Sequence, residues 1–395
     1  MTKTFERTIR VANIIEEGRL GGPQMRMALV ASVLEKSEFK NKIDITFIFP
    51  KKDSKEFSER CDTIGIKYFL FSFSKISRNW FNIFRYLILF PVEVLMLANF
   101  LKKHSFDIVH VSGGSRHCKG IIAAKLAKIK VVWEMNDTYA PIIIRNVYFL
   151  LSGLADYFVF ASYRTKSYYE KLTPKNKKNF LIQSPVNINF YDPSFEFPVE
   201  DFIKRTIEEK KIIIGTVANV SPVKDLKLFL KVVKKLSSYS NKVLFIVVGS
   251  VHNSQKNYYE QLLDNINKQG IKNFFFLGPR VDVRPLLKAM NIYVCSSMNE
   301  SSPLSLLEAM AMKKAIVSTD VGDVKSFIDN GVDGFIVKNG DDNALANYLK
   351  RLIDDPKLRY NFGESARNVV KEKFDLEICV NNHLDMYHKI VNNYK

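Results

Sequence analysis

Cysteine is sparse in this sequence. Cys61, Cys118, Cys295 and Cys379 are four among 395 residues, and no two stand at the short spacing of a zinc-ligand pair. That excludes a disulfide scaffold and a cysteine-built metal site, and it reads as four reduced thiols in a cytoplasmic protein. Long apolar runs are missing too. The N-terminus, MTKTFERTIRVANII, lacks the uninterrupted stretch of a secretion signal and is expected to be a short basic lead into a first strand. The most apolar segment, between Arg85 and Lys102, is broken by Pro91 and Glu93 and is short for a transmembrane helix. Internal repeats are absent. So are zinc-finger, RNP and basic-zipper signatures, which removes the usual grounds for nucleic acid as a partner.

Acidic residues are in deficit. Lysine and arginine number 59 against 41 aspartates and glutamates, a net charge of +18. That balance favours anionic partners, of which a membrane surface or a phosphorylated substrate fit best. A lysine-rich solvated face is the plain alternative.

What is present is a hydrophobic share of 47% in a chain too long for one comfortable core, which predicts two domains. IRVANIIE, KIDITFIFP, IKYFLF, FDIVHVSG, KIKVVWEMND and YFVFAS read as strands. Helical runs lie between them, including GRLGGPQMRMALVASVLEK, about 79–102, and KGIIAAKLAK. A proline-rich connector, LIQSPVNINFYDPSFEFP, follows. The pattern then resumes with KIIIGTVANVSPVKDLKLFLKVVKKL, KVLFIVVGS, NFFFLG, NIYVCSS, KAIVSTD and GFIVK. Strands alternating with helices argue for parallel sheets covered on both faces. The predicted domains are 1–200 and 201–370, with a boundary near 190–210. A closing helix over 371–395 is expected to cross back to the first.

The stretch NESSPLSLLEAMAMKKAIVSTDVGD carries the most chemistry. Ser302 suits a helix cap and Pro303 a first turn. Leu304, Leu307 and Met310 mark an apolar helix face. Glu300 then lies in the loop after a strand, and Glu308 nearly two turns into the helix. Ligands of open α/β sheets bind outside the carboxyl ends of strands. Free N–H groups over 302–304 would seat a phosphate, and a carboxylate can accept both hydroxyl hydrogens of a sugar diol. Two acids at this spacing also arise by chance, as ordinary surface residues.

The two acids and the AMAMKKAIVSTDVGDV that follows resemble the signature of retaining glycosyltransferases of family 4. GRLGGPQM, DIVHVSGG, ADYFVFASYRTKSYY, LIQSPVN, VANVSPVKD, FLGPRVDVRPLLKAMNIYVCSSMNE and GVDGFIV extend the resemblance over nearly the whole chain. The resemblance implies a GT-B fold, two Rossmann-like α/β/α domains facing an interdomain cleft. It also implies transfer of a sugar, with retained configuration, from a UDP- or GDP-linked donor to a hydroxyl of a glycan or lipid-linked acceptor in bacterial surface polysaccharide synthesis. That donor is a substrate; no cofactor or metal is implied.

By the same resemblance Glu308 takes the ribose hydroxyls and Glu300 contacts the transferred sugar. The backbone of Ser302, Pro303 and Leu304 lies beside sugar and diphosphate. Lys224 supplies a mobile cation to the diphosphate. An arginine usually stands five residues before that lysine; here it is Asn219, so half of the usual cationic clamp is missing, and Arg280 is the candidate replacement. Gly21 and Gly22 resemble the loop that approaches the donor phosphates, where glycine lets backbone come close. His110 resembles the histidine beside the sugar, with a satisfied core histidine as the alternative. His117 and the Glu134–Asn136–Asp137 loop are candidates for acceptor recognition.

The segment SRNWFNIFRYLILFPVEVLMLANFLKKH is expected to combine partial burial with peripheral membrane contact. Trp80, Phe81, Phe84 and Tyr86 stand there beside Arg78 and Arg85, and Pro91 is expected to bend or split the helix. That places the protein in the cytoplasm, at the inner face of the membrane. Two other readings are weighed: an α/β enzyme that cleaves or phosphorylates a glycosidic bond, and a catalytically weak sugar-binding partner subunit, for which Asn219 is the specific support. The oligomeric state is open.

Overall fold

The computed structural model describes residues 7–36, 42–75 and 80–392. The lead over 1–6 and Arg78 lie outside the described residues. The chain divides into two compact units: one runs to Ser184 and takes in the chain from Leu376, and the other is Pro185–Asp375.

The first unit is built on a seven-stranded parallel sheet. Its strands are β1 (Ile9–Ile14), β2 (Ile43–Pro50), β3 (Tyr68–Phe71), β4 (Ile108–Val111), β5 (Lys130–Met135), β6 (Tyr157–Phe160) and β7 (Lys178–Leu181), in the order β3-β2-β1-β4-β5-β6-β7. Between them run α1 (Gly22–Lys36), α2 (Lys55–Ile64), α3 (Trp80–His104), α4 (Lys119–Leu126), α5 (Ile142–Ser152) and α6 (Tyr163–Tyr169). The central strands are buried on both faces, as Val- and Ile-rich parallel strands are. Side-chain period two sorts them. Val11, Phe47 and Ile108 face a core shared with Met27 of α1 and Phe57 of α2. Ile14, Val109, Val111 and Trp133 face one shared with α3, α4 and Tyr148 of α5.

The second unit opens with α7 (Asp201–Glu208). Its strands β8 (Ile212–Val217), β9 (Val243–Val248), β10 (Phe274–Gly278), β11 (Ile292–Cys295), β12 (Ala315–Thr319) and β13 (Phe335–Val337) form a six-stranded parallel sheet, β10-β9-β8-β11-β12-β13. Its further helices are α8 (Leu226–Lys235), α9 (Lys256–Lys268), α10 (Arg284–Ala289), α11 (Leu304–Ala311), α12 (Val324–Phe327), α13 (Asp342–Asp354) and α14 (Pro356–Lys373). The last helix, α15 (Leu376–Asn392), lies against the first unit, where Leu384, Met386 and Ile390 join the core of α1 and β1.

The connector 185–200 packs on the second unit, so the division falls at Ser184 and not near 200. Basic side chains hold it there. Arg367 of α14 donates to the carbonyls of Tyr191 and Ile188, Arg284 lies 3.7 Å from the Phe190 ring centre, and Lys288 bonds to Phe195 O at 2.6 Å. Pro91 lies inside one continuous helix, which it does not split. It lacks a donor for residue 87, and the ion pair of Glu93 with Lys119 of α4, 2.6 Å, fastens the helix just beyond it.

Candidate functional site

In each sheet the strand order reverses at one place, between β1 and β4 in the first and between β8 and β11 in the second. Loops leaving such adjacent strands diverge to opposite faces and open a crevice at the carboxyl edge. In the second unit those loops are 218–225 and 296–303. Asn219 and Lys224 lie in the first, and Glu300, Ser302 and Pro303 in the second.

The 218–225 loop ends in a single 3-10 turn, Pro222–Lys224, and Asp225 in left-handed backbone caps α8 by accepting from Leu228 N. The turn carries the Lys224 side chain back across the sheet edge, where it forms an ion pair with Glu300. Ser297 Oγ donates to the same Glu300 oxygen at 2.9 Å. Two further bonds lace the loops together: Ser296 Oγ to Lys224 O, 2.8 Å, and Met298 N to Val223 O, 2.7 Å. Both members of the ion pair keep some exposure, so the cation stands at an accessible edge. Asn219 points elsewhere. Its Oδ1 accepts from Ser250 N and Oγ, at 3.2 and 2.8 Å, which ties the β8 loop to the one after β9.

The 296–303 loop is propped from beneath. Thr319 Oγ1, buried at the end of β12, donates to Ser297 O at 2.7 Å. Gly322 has φ +52°, and a Cβ there would stand 2.2 Å from Ser301 O. Only glycine fits this left-handed, crowded position. The structure starts α11 at Leu304, with Pro303 in the cap position and no side-chain cap bond. Ser302, expected as the cap, precedes it. Leu306 and Leu307 N both bond to Pro303 O, which leaves the N–H groups of Leu304 and Ser305 without an intrahelical partner.

Glu308 follows on α11, half-buried. Burial pushes its carboxyl up to about 7, opposed by a hydrogen bond from the Tyr191 hydroxyl. Burial, and then the charge of Glu308, raise Tyr191 in turn. Tyr191 is held by Arg367, which bonds its carbonyl at 2.9 Å and also donates to Ala311 O at the end of α11. Arg280, the candidate substitute for the missing arginine, is engaged at the connector. Its guanidinium pairs with Glu200 and donates to Leu277 O and Pro279 O. The sequence could not show this, because Glu200 lies 80 residues away.

In the first unit Gly22 begins α1, and a Cβ on it would meet nothing; Gly21 precedes it in the loop after β1. His110 requires a correction. The resemblance puts it beside a sugar, but it is fully buried. Strand alternation turns residue 110, with Ile108, toward the face that α15 covers. Its Nδ1 lies 2.7 Å from the Tyr387 hydroxyl and its Nε2 3.0 Å from Glu134. Glu134 is itself paired with buried Arg26 at 2.5 Å and accepts from Ser112 Oγ at 2.9 Å. Burial alone would raise the Glu134 carboxyl; the Arg26 charge and the His110 bond outweigh it and hold it well below the carboxylate range.

His117 is the histidine at the sheet edge. Its Nδ1 lies 2.6 Å from Ser112 O, so that nitrogen donates and Nε2 is left to accept. Burial lowers its pKa to about 4, and the ring is neutral near pH 7. Gly113, at φ +121°, makes room for it, since a Cβ there would overlap the ring. Asp137 accepts from Ser115 N and Oγ, and Glu16 accepts from the first N–H groups of α4. Among the described residues no cluster of three metal-ligating side chains is present.

Sequence reading missed Tyr191, Ser250, Thr319 and Gly322. Only Gly322 left a signal, as the glycine of STDVGD just after a strand.

Two doubly wound units make the GT-B fold, and the chain is a glycosyltransferase of that fold, related to the family 1 and family 4 enzymes. Residues 199–369 match the family described as Glycosyl transferases group 1. The chain is 26% identical over 370 residues to the N,N'-diacetylbacillosaminyl-diphospho-undecaprenol alpha-1,3-N-acetylgalactosaminyltransferase of Campylobacter jejuni subsp. jejuni serotype O:2, covering 90% of this chain and 93% of that protein. It is 23% identical over 319 residues to the UDP-Gal:alpha-D-GlcNAc-diphosphoundecaprenol alpha-1,3-galactosyltransferase of Escherichia coli, covering 76% and 80%. The solved structure of Anabaena HepE with UDP is similar in fold, with a TM-score of 0.81 at 17% identity, over 96% of this chain and 100% of that one.

Proposed function

We propose that the protein transfers a sugar, with retention, from a UDP-linked donor to a hydroxyl of a saccharide carried on a polyprenyl diphosphate, at the cytoplasmic face of the membrane, in the assembly of a bacterial surface polysaccharide. The observation that carries this is the Lys224–Glu300 pair at the second unit's switch point, with Glu308 on the helix that follows. UDP in a protein of similar fold supports the base. The two relatives named for undecaprenyl-diphosphate acceptors support the acceptor.

The second unit then holds the donor and the first the acceptor. Glu308 accepts the ribose hydroxyls, and the N–H groups at the start of α11 meet the diphosphate. The Lys224 ammonium counters the charge that grows on the diphosphate as the bond from the anomeric carbon to phosphate oxygen breaks. Glu300, fixed by Ser297, is left to receive a sugar hydroxyl once Lys224 turns to phosphate. The acceptor oxygen bonds to the anomeric carbon on the face the diphosphate leaves, and its proton passes to the departing diphosphate oxygen. Gly21 and Gly22 let backbone approach the phosphates. Neutral His117 accepts a hydrogen bond from a sugar hydroxyl through Nε2. His110 acts at a distance, by fixing the Glu134–Arg26 core under that edge.

The test is UDP release from a panel of UDP-sugars with a short-chain alkyl-diphosphate saccharide as acceptor, and assignment of the product anomer by NMR. One UDP-sugar should be consumed, giving the α-anomer, and Glu308→Ala and Lys224→Ala should each lower turnover by about 10²-fold or more. Failure of every UDP-sugar, with GDP-sugars turned over, would overturn the choice of base; turnover that survives both variants would overturn the site.

A further inference from the structure

Two helices of the first unit bear apolar side chains on the outside. On α3, Trp80 is 76% exposed, Phe84 57%, Leu87 63% and Ile88 54%. Steps of three and four residues set them in one stripe, continued by Val92, Leu95 and Met96. The opposite face of α3 is buried through Val94, Leu97 and Leu101. The second helix is α5, IIIRNVYFLLS, where Ile143 is 73% and Leu150 78% exposed and only Tyr148 and Ser152 are buried. A helix this apolar that covers a sheet would ordinarily turn its apolar side inward. Here Tyr148 and the half-buried Leu151 reach the core, and most of the rest faces out.

The two stripes share one side of the unit. Both helices pack on the same sheet face, in the core that also holds α4. Both also start at the same edge: α3 follows the carboxyl end of β3, and α5 that of β5. That edge carries Gly21, Gly22, His117 and Asp137. The apolar surface therefore begins beside the loops that would receive the acceptor.

Charge narrows the choice of occupant. On these helices Arg85, Lys102 and Lys103 are exposed and Arg145 is half-buried, against one acid, Glu93. Glu93 is buried and its charge is met internally, by Lys119 at 2.6 Å. Arg85 is exposed within the α3 stripe. A second copy docked face to face would set these cations against each other. Anionic headgroups above an acyl layer match both the charge and the apolar stripes. The length of α3 alone would let it span a bilayer, but its buried face and the Glu93–Lys119 pair bind it to the sheet, so it lies along the surface.

We propose that the outer faces of α3 and α5 form a single two-helix surface that docks on an anionic bilayer and sets the carboxyl edge of the first sheet at headgroup level, where a polyprenyl-linked saccharide emerges. This rests on the lipid-linked acceptor proposed above and adds α5, the contact face and the depth. Neither helix suffices alone, since one stripe would let the unit roll about its axis.

The test uses the full chain and three proteins: wild type, Leu87→Asn with Ile88→Asn on α3, and Ile143→Asn with Leu150→Asn on α5. Sedimentation with vesicles of phosphatidylglycerol and phosphatidylethanolamine is compared with phosphatidylcholine alone, at low and high salt. Wild type should partition onto the anionic vesicles and be released by salt, and each pair should weaken partition roughly ten-fold. Melting temperature and turnover of the short-chain acceptor should stay unchanged, since all four positions are exposed and outside the site. An α5 pair that partitions like wild type would overturn the two-helix surface, as would a wild-type dimer by light scattering that the pairs convert to monomer. Absence of turnover with any acceptor, while vesicle binding persists, would instead count against the reading of function and leave the docking surface in place.

Discussion

Tyr191, on the connector, sets its hydroxyl toward Glu308 on α11, where it opposes the effect of burial on that carboxyl. The proposed ribose site therefore has a built-in donor that stabilises the charged form. Ribose hydroxyls bind best to the carboxylate. The affinity for UDP should rise as pH climbs through about 7, the level to which burial pushes Glu308. Protons should be released on binding below that pH. Titration calorimetry in buffers of different ionisation enthalpy reads both. Glu308→Gln should flatten the profile. Tyr191→Phe should shift it upward by about one pH unit, equivalent to about 1.4 kcal/mol at neutral pH, and leave affinity near wild type at pH 9. A uniform loss at every pH would mean that Tyr191 acts only through packing.

Lys224 and Glu300 form an ion pair. On the proposed reading, removing the lysine removes the charge opposite the leaving diphosphate. Lys224→Ala should lower kcat about 10²- to 10³-fold, the usual cost of deleting one transition-state donor. Because the pair is partly exposed, the melting temperature should change little. Glu300→Gln keeps the bond from Ser297 and should act mainly on sugar choice, read as a change in the ratio of kcat/KM between UDP-sugars.

Gly322 lies under the loop that bears Glu300 and Ser301. Gly322→Ala puts a Cβ 2.2 Å from Ser301 O at a positive φ. The loop must move, at a cost of about 1–3 kcal/mol. Weaker UDP binding together with a lower unfolding midpoint is expected, and denaturant unfolding with and without UDP measures both.

The first unit should weaken in acid through its buried histidines. Burial lowers His383 to about 3 and His117 to about 4, below the unfolded value of 6.5. The folded state then binds fewer protons than the unfolded one between those limits. The stability that these groups contribute is complete above pH 6.5 and is lost as pH falls toward 4 and then 3. Glu16 and Glu308, raised to about 7, act in the opposite sense between 7 and 4.5. His383→Leu should therefore reduce the loss of stability between pH 6 and 4, as followed by urea unfolding at several pH values.

The Arg26–Glu134 pair is wholly buried. Glu134→Ala strands the guanidinium and should cost about 3–5 kcal/mol. Replacing both residues with apolar ones of similar size should cost much less. A double-mutant cycle by thermal unfolding decides between these outcomes.

Local pattern made much of this legible. The strands of IRVANI, IDITFIFP, VLFIVV and AIVST are short apolar runs rich in Val and Ile, and such runs are buried on both faces whatever their neighbours are. Glu300, Glu308 and Lys224 could be singled out because their segments, each following a strand, resemble the family 4 signature. The helix α5 went unread, although IIIRNVYFLLS is plainly apolar, because its face of exposure has no counterpart in its own sequence.

The sequence by itself determined the alternation of strands and helices, the two parallel sheets and the loops that carry the acids, because these follow from backbone preference and from side-chain period over a few residues. Tertiary structure alone decided what each polar group meets. It buried His110 under α15, whose Tyr387 is 277 residues distant. It turned Arg280 onto Glu200 and brought Tyr191 to Glu308. Burial and desolvation depend on which remote segment covers a side chain, and no local pattern encodes that.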